Sequence, residues 1–322
     1  HPKFWGAICH VEVARRMMRP CGRALTRSMA RVASSARVLR DDLVFAEGAR
    51  WHAGKLWFSD MHGCKVMALD VSTCQTEVLA EVPNRPSGLG FLPDGSLLIV
   101  SMRDRRLLRL TLDARKRGGG ALTEVADLSA HASWWCNDMV VDPRSGRAYV
   151  GNFGWDIYQP GGPGKPVPAQ LAMVEPGGAV RSVGDKSLIF PNGMAITPCG
   201  ATLIVAETWA WRLSAFDIAR DGSLGVRRTW AQLDFYPDGI SCVDQEGCVW
   251  VADVHGKAAR VGEGGSIAEV VLAGDGFGTY TCALGGEDGR TLFLLEARSH
   301  DPRKTRPGNA RIRSVRVRVP AA

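Results

Sequence analysis

Hydrophobic and polar positions along this chain fall into one phrase that is repeated six times: a turn containing glycine, a short apolar run, then a small or acidic stop. The first instance is His52-Ala-Gly-Lys-Leu-Trp-Phe-Ser-Asp60 and the last is Glu287-Asp-Gly-Arg-Thr-Leu-Phe-Leu-Leu-Glu296. The turn glycines, Gly54, Gly95, Gly146, Gly200, Gly247 and Gly289, recur at intervals of 41 to 54 residues, the period of a propeller blade. Asp-Gly and Ser-Gly pairs suit hairpins because glycine takes positive φ without a steric penalty. A further strand candidate follows each phrase, as at Lys65–Asp70, Arg105–Asp113 and Arg212–Ile218. With no long amphipathic helix pattern, the repeat predicts an all-β chain folded as a six-bladed β-propeller. The alternating run Ala310–Val319 reads as a half-buried strand, and the segment near Leu39–Phe45 can complete its blade. Strands from both ends of the chain would then close the ring and leave no open edge.

Charge changes the picture only at the N-terminus. The formal charge of +7 arises from residues 1–40, where nine basic residues face the single acid Glu12, and the rest of the chain is near neutral. A nucleic-acid-binding face on the propeller is therefore not expected. Residues 1–39 read as a basic, disordered appendage of transit-peptide-like composition, and residues 40–322 as the propeller. The longest run free of charge, residues 187–206, is interrupted by Pro191, Asn192, Pro198 and Gly200, so no membrane helix is expected. Nine cysteines without a CxxC pair suggest reduced thiols, and with no apolar secretory core near the start the expected location is cytoplasmic.

A second recurring position lies seven to nine residues ahead of each turn glycine. It holds Glu47, Ser87, Asn137, Asn192 and Asp238, mostly followed by glycine and then an apolar residue. Equivalent register in successive blades brings these side chains to the heads of the innermost strands, facing one axis. The set Glu47, Asn137, Asn192 and Asp238 offers only oxygen ligands, which suit a hard divalent cation such as calcium, magnesium or manganese. Asn and Asp are also ordinary turn residues; the shared register is what argues for a metal.

These residues carry a family resemblance. Glu47-Gly-Ala-Arg-Trp51, Leu56-Trp-Phe-Ser-Asp-Met-His-Gly63, Asn137-Asp138, Pro191-Asn-Gly193 and Pro237-Asp-Gly-Ile240 resemble the gluconolactonase and regucalcin family over residues 43–319. The resemblance implies a metal-dependent lactonase accepting calcium, zinc, manganese or magnesium, with Glu47, Asn137, Asn192 and Asp238 as ligands. It also implies that Asp238 is the general base and that the partner is a small lactone. Sugar lactonases of this family often carry arginine two residues before the Asn of Asn-Asp; here Trp135 stands there, so less hydroxylated lactones are expected. Loops on the same face bring His62, Trp155 and Trp209 toward substrate, and Asp138 lies beside them. The alternatives are phosphotriesterase or strictosidine-synthase-like chemistry on the same scaffold, or a non-catalytic calcium-binding regulator. No Gly-x-Ser-x-Gly elbow occurs, which argues against a serine esterase.

Overall fold

The computed structural model of the chain describes residues 31–32, 36–112, 120–274 and 276–322. Six antiparallel sheets follow one another, each entered at its innermost strand. Blade one is Ala46–His52, Lys55–Asp60, Lys65–Asp70 and Gln75–Glu81. Blade two is Pro86–Phe91, Leu97–Ser101, Arg106–Leu110 and Leu122–Asp127. Blade three is Cys136–Val141, Ala148–Asn152, Ala169–Val174 and Val180–Leu188. Blade four is Pro191–Ile196, Thr202–Glu207, Arg212–Asp217 and Arg228–Gln232. Blade five is Pro237–Ile240, Val249–Asp253, Lys257–Val261 and Ile267–Leu272, with Arg31–Val32 paired in parallel on its outer edge. Blade six is Gly278–Gly285, Thr291–Ala297, Ala310–Arg316 and the N-terminal Arg37–Leu43.

The ring closes as expected, since Arg37–Leu43 pairs antiparallel with Ala310–Arg316. That strand begins three residues ahead of the expected boundary at 40; residues 1–30 and 33–35 of the expected appendage lie outside the described residues. All six turn glycines have positive φ, from 68° to 82°, so the repeat marks the hairpin between the first and second strand of every blade. Apolar second strands fill the spaces between blades: Leu56, Phe58, Leu97, Ile99, Tyr149, Leu203, Val205, Trp250 and Phe293 are fully or almost fully buried. Among the described residues the only helical element is the 3-10 turn Thr208–Ala210.

Each innermost strand packs against that of the next blade, and the sixth against the first. In blades one, two, four and five their approach is close enough to require glycine after the ring position. A Cβ on Gly48 would stand 2.3 Å from the Ser87 carbonyl oxygen, and one on Gly193 would stand 2.4 Å from the Ile240 nitrogen. The acidic stops of the repeat are structural. Asp60 accepts the Phe45 amide at 2.8 Å, and Glu207 accepts the Ile189 amide at 2.9 Å and Arg212 at 2.8 Å. Glu296 accepts Arg311 at 2.7 Å and Arg313 at 2.9 Å. The seven described cysteines are all free, and no described helix is long and apolar enough to cross a membrane.

Candidate metal centre and its aromatic vestibule

All six innermost strands break register at the same place. The irregularities fall between Glu47 and Arg50, Pro86 and Leu89, Cys136 and Met139, Pro191 and Met194, Pro237 and Ile240, and Thr279 and Thr281. A bulge re-aims a side chain that would otherwise stay in the pleat. Here it re-aims the residue at the head of each strand, which is the ring position.

Asn137, Asn192 and Asp238 are buried, and Glu47 keeps only part of its surface accessible. Asn192 donates its amide to Asp238 and, at 3.1 Å, to the Thr208 hydroxyl. Asn137 donates to the Pro191 carbonyl at 3.5 Å, and Glu47 accepts the Gly48 amide at 3.2 Å. Burial pushes the Glu47 carboxyl well above its usual value, and the negative charges of Asp238 and Asp138 push it further. Burial and Asp138 push Asp238 up in the same way, and the Asn192 hydrogen bond opposes them only in part. Two carboxylates thus meet in a low-dielectric space with no side-chain ion pair to either among the described residues.

That is the electrostatic deficit a divalent cation fills, and the donor set fits a hard one: two carboxylates match its charge, and the amides bond through nitrogen, leaving their carbonyl oxygens as spare electron-pair donors. No group of three or more His, Cys, Asp or Glu suited to a metal occurs among the described residues. The candidate ring has only two such residues and completes itself with amides.

Asp138, expected to face substrate, is otherwise engaged. Its carboxylate receives Arg50 of blade one at 3.0 Å and the Met139 amide at 2.8 Å. Arg50 also donates to the Met139 carbonyl. This ion pair joins blades one and three across the axis, beside the ring.

The aromatic residues form a connected layer of ring contacts. Trp135 stacks on Trp134 with ring centroids 6.2 Å apart and lies 6.0 Å from Tyr158. Trp155 stands edge-on to Phe190 and to Trp209, each at 5.7 Å, and its indole N–H donates to the Pro163 carbonyl at 2.6 Å. Trp209 in turn meets Tyr236 at 6.1 Å. His62 stacks on Phe45 at 4.7 Å and shares a hydrogen bond with Thr305 at 2.9 Å. Burial and the Arg85 charge lower its pKa to about 3, so its ring is neutral.

Sequence reasoning missed Tyr158 and Tyr280. Both phenols are pushed up by burial and also feel the charges of Asp238 and Glu47. Tyr158 comes from the loop between the second and third strands of blade three, and its hydroxyl donates at 3.3 Å to the carbonyl of His300 in the matching loop of blade six. Length was the available signal: residues 153–168 and 298–309 are the longest second-to-third-strand connections of the ring.

Fold and site together define a six-bladed propeller with a ring of oxygen donors at the heads of its innermost strands. The model for the SMP-30/Gluconolactonase/LRE-like region matches residues 45–298, and the chain belongs to that family. It is similar to a 6-deoxy-6-sulfogluconolactonase of Pseudomonas putida, 26% identical over 293 residues, which is 88% of this chain and 94% of that protein. It is also similar to regucalcin of Danio rerio, 28% identical over 186 residues, which is 55% of this chain and 59% of that protein. A solved calcium-binding regucalcin of Agrobacterium tumefaciens shares the fold, with a TM-score of 0.73 and 20% identity over 91% of this chain and 97% of that one.

Proposed function

We propose that the protein is a lactonase, hydrolysing a cyclic ester with one divalent cation held by Glu47, Asn137, Asn192 and Asp238, calcium being the cation best suited to the donor set. The observation that carries this reading is the pair of carboxylates, Glu47 and Asp238, neither with an ion pair among the described residues, accompanied by two amides from other blades. Membership of a family that contains gluconolactonases supports it. When bound there, such a cation would supply Lewis acidity toward the ester carbonyl and toward charge developing on its oxygen. Asp238 takes the proton of the attacking water and returns it to the leaving alkoxide. Asn192, bonded to both Asp238 and Thr208, fixes the orientation of that carboxylate. Trp135, Trp155, Trp209 and His62 wall the approach and exclude bulk water. Asp138 supports the ring through Arg50. With Trp135 in place of arginine, the wall offers one N–H and a broad apolar face, which favours lactones with few hydroxyls.

The test is acid release from a panel of lactones by the purified protein, with and without a chelator, beside Asp238→Ala. Hydrolysis that needs the cation and is lost in the variant is the expected result. Undiminished hydrolysis after chelation would refute the mechanism, and calcium binding with no turnover of any lactone would favour a regulatory protein.

A further inference from the structure

The register that aims the ring also builds a layer above it. Two residues ahead of each ring position the six blades carry Phe45, Arg85, Trp135, Phe190, Tyr236 and Thr279. Arg85 is the one charged member. Its backbone lies in the left-handed region at φ 69°, held by its own N–H on the Val82 carbonyl and by the Met102 N–H on its carbonyl, each at 2.9 Å. Its guanidinium stands 5.7 Å from the Trp135 ring centroid, and that of Arg103, from the adjacent loop of blade two, stands 5.5 Å from the same ring.

Neither guanidinium has an acidic partner among the described residues, and Nη1 of Arg85 is buried without any hydrogen-bond acceptor. Other buried or half-buried arginines are treated differently: Arg50 meets Asp138 at 3.0 Å, Arg212 meets Glu207 at 2.8 Å, and Arg260 meets Asp244 at 2.7 Å. Nearby acids are already occupied. Asp104 accepts Ser101 at 2.6 Å and Asn84 at 2.8 Å, and Asp301 accepts Arg303 at 2.9 Å. Trp135, under the Arg85 guanidinium, also lies 6.0 Å from Tyr158, so the unpaired guanidinium belongs to the same aromatic layer. Two like charges held side by side over an indole, one with a buried unpaired nitrogen, are costly unless a ligand supplies the missing acceptor.

We propose that Arg85 and Arg103 bind an anionic substituent of the substrate, a carboxylate, sulfonate or phosphate, against the face of Trp135, so that the preferred lactone is acidic. Guanidinium forks match such oxyanions in bidentate geometry. The proposal rests on the lactonase reading for what the ring does, and on the arginines alone for the anion.

Two arms test it. In the first, the calcium-loaded protein is titrated calorimetrically with rings that cannot be hydrolysed: tetrahydrofuran-2-carboxylate, tetrahydrofuran-2-methanesulfonate and tetrahydrofurfuryl phosphate, against neutral tetrahydrofurfuryl alcohol. At least one anion is expected to bind about 10- to 100-fold more tightly than the alcohol, and the best of the three identifies the group. That advantage should fall to less than about threefold in Arg85→Met and fall measurably in Arg103→Gln. In the second arm, the kcat/KM ratio for γ-butyrolactone rings bearing carboxylate or hydroxymethyl should drop in both variants, with Arg85→Lys retaining part of it. Equal binding of charged and neutral rings by the wild type, or an advantage unchanged in both variants, overturns the anion site. If Arg85→Met does not fold, Arg103→Gln, on an exposed residue, decides alone. Arginine-dependent binding of the anionic rings without turnover of any lactone would uphold the anion site while removing the lactonase reading.

Discussion

Asp138 and Asp238 are both buried acids at the heads of innermost strands, one in blade three and one in blade five, and they are neutralised in different ways. Asp138 receives the Arg50 guanidinium and a backbone amide. Asp238 receives only the Asn192 amide and faces a second acid, Glu47. Glu207, Glu296 and Asp244 follow the first pattern, each with an arginine. Asp60 is buried with backbone amides alone, whereas at the ring burial and Asp238 raise the Glu47 carboxyl and neither acid has an ion pair among the described residues; the proposed cation would supply the counter-charge there.

The comparison breaks most sharply at its two aspartates. Asp238→Asn should lower kcat/KM for lactone hydrolysis by about 10²- to 10⁴-fold, while the melting temperature of metal-free protein holds or rises because repulsion with Glu47 is relieved. A metal-free variant that melts several degrees below wild type would put Asp238 among the structural acids. Arg50→Met should do the reverse, costing about 3–5 kcal/mol in urea denaturation by stranding a buried carboxylate. Adding Asp138→Asn should return most of that loss. A single variant within about 1 kcal/mol of wild type would show that the Arg50 pair is dispensable.

Acidity sharpens the same contrast. Because the folded protein raises the carboxyls of Glu47 and Asp238, it holds their protons more firmly than the unfolded chain does. Their contribution to stability is complete below the ordinary carboxyl range and is lost as pH rises through the raised values. Metal-free protein should therefore gain stability from these groups on acidification from neutral pH. Asp221 and Asp301, lowered to about 2 by their hydrogen bonds, act oppositely and lose stability only as pH falls through and below the ordinary range. Calcium competes with the ring's protons, so the melting increment it confers should shrink from about pH 8 to about pH 5; a constant increment would disconnect the cation from these acids. The smallest expected effect is at the wall: Trp135→Arg should move the kcat/KM ratio toward polyhydroxylated lactones by about 5- to 20-fold, and an unchanged ratio would remove Trp135 from specificity.

The propeller was legible in the sequence because hairpin glycines and alternating strands are local signals; all six turn glycines and the closing strand lie where that pattern puts them. The ring positions were legible for a related reason, since blade register converts a repeated sequence position into a shared point in space. What lay beyond local reading was pairing across the axis. Arg50 and Asp138 are 88 residues apart, and Tyr158 reaches His300 over 142. Nothing within either segment names its partner. The layer carrying Arg85 was within reach, because counting two residues back from every ring position retrieves it. Reading only at Trp135 showed an arginine missing from one blade and overlooked the one in the neighbouring blade.

Closure of the last blade has a consequence for synthesis. Arg37 faces Ser314 and Leu43 faces Ala310, so a strand translated early is paired only after about 270 further residues have been added. At about 5–20 residues per second the nascent Arg37–Leu43 segment waits roughly 15 to 50 seconds as an unclaimed edge. An apolar strand exposed for that time invites pairing with the wrong chain. The sequence Arg37-Val-Leu-Arg-Asp-Asp-Leu43 places four charges among its seven residues, which keeps the waiting edge soluble until Ala310–Arg316 arrives.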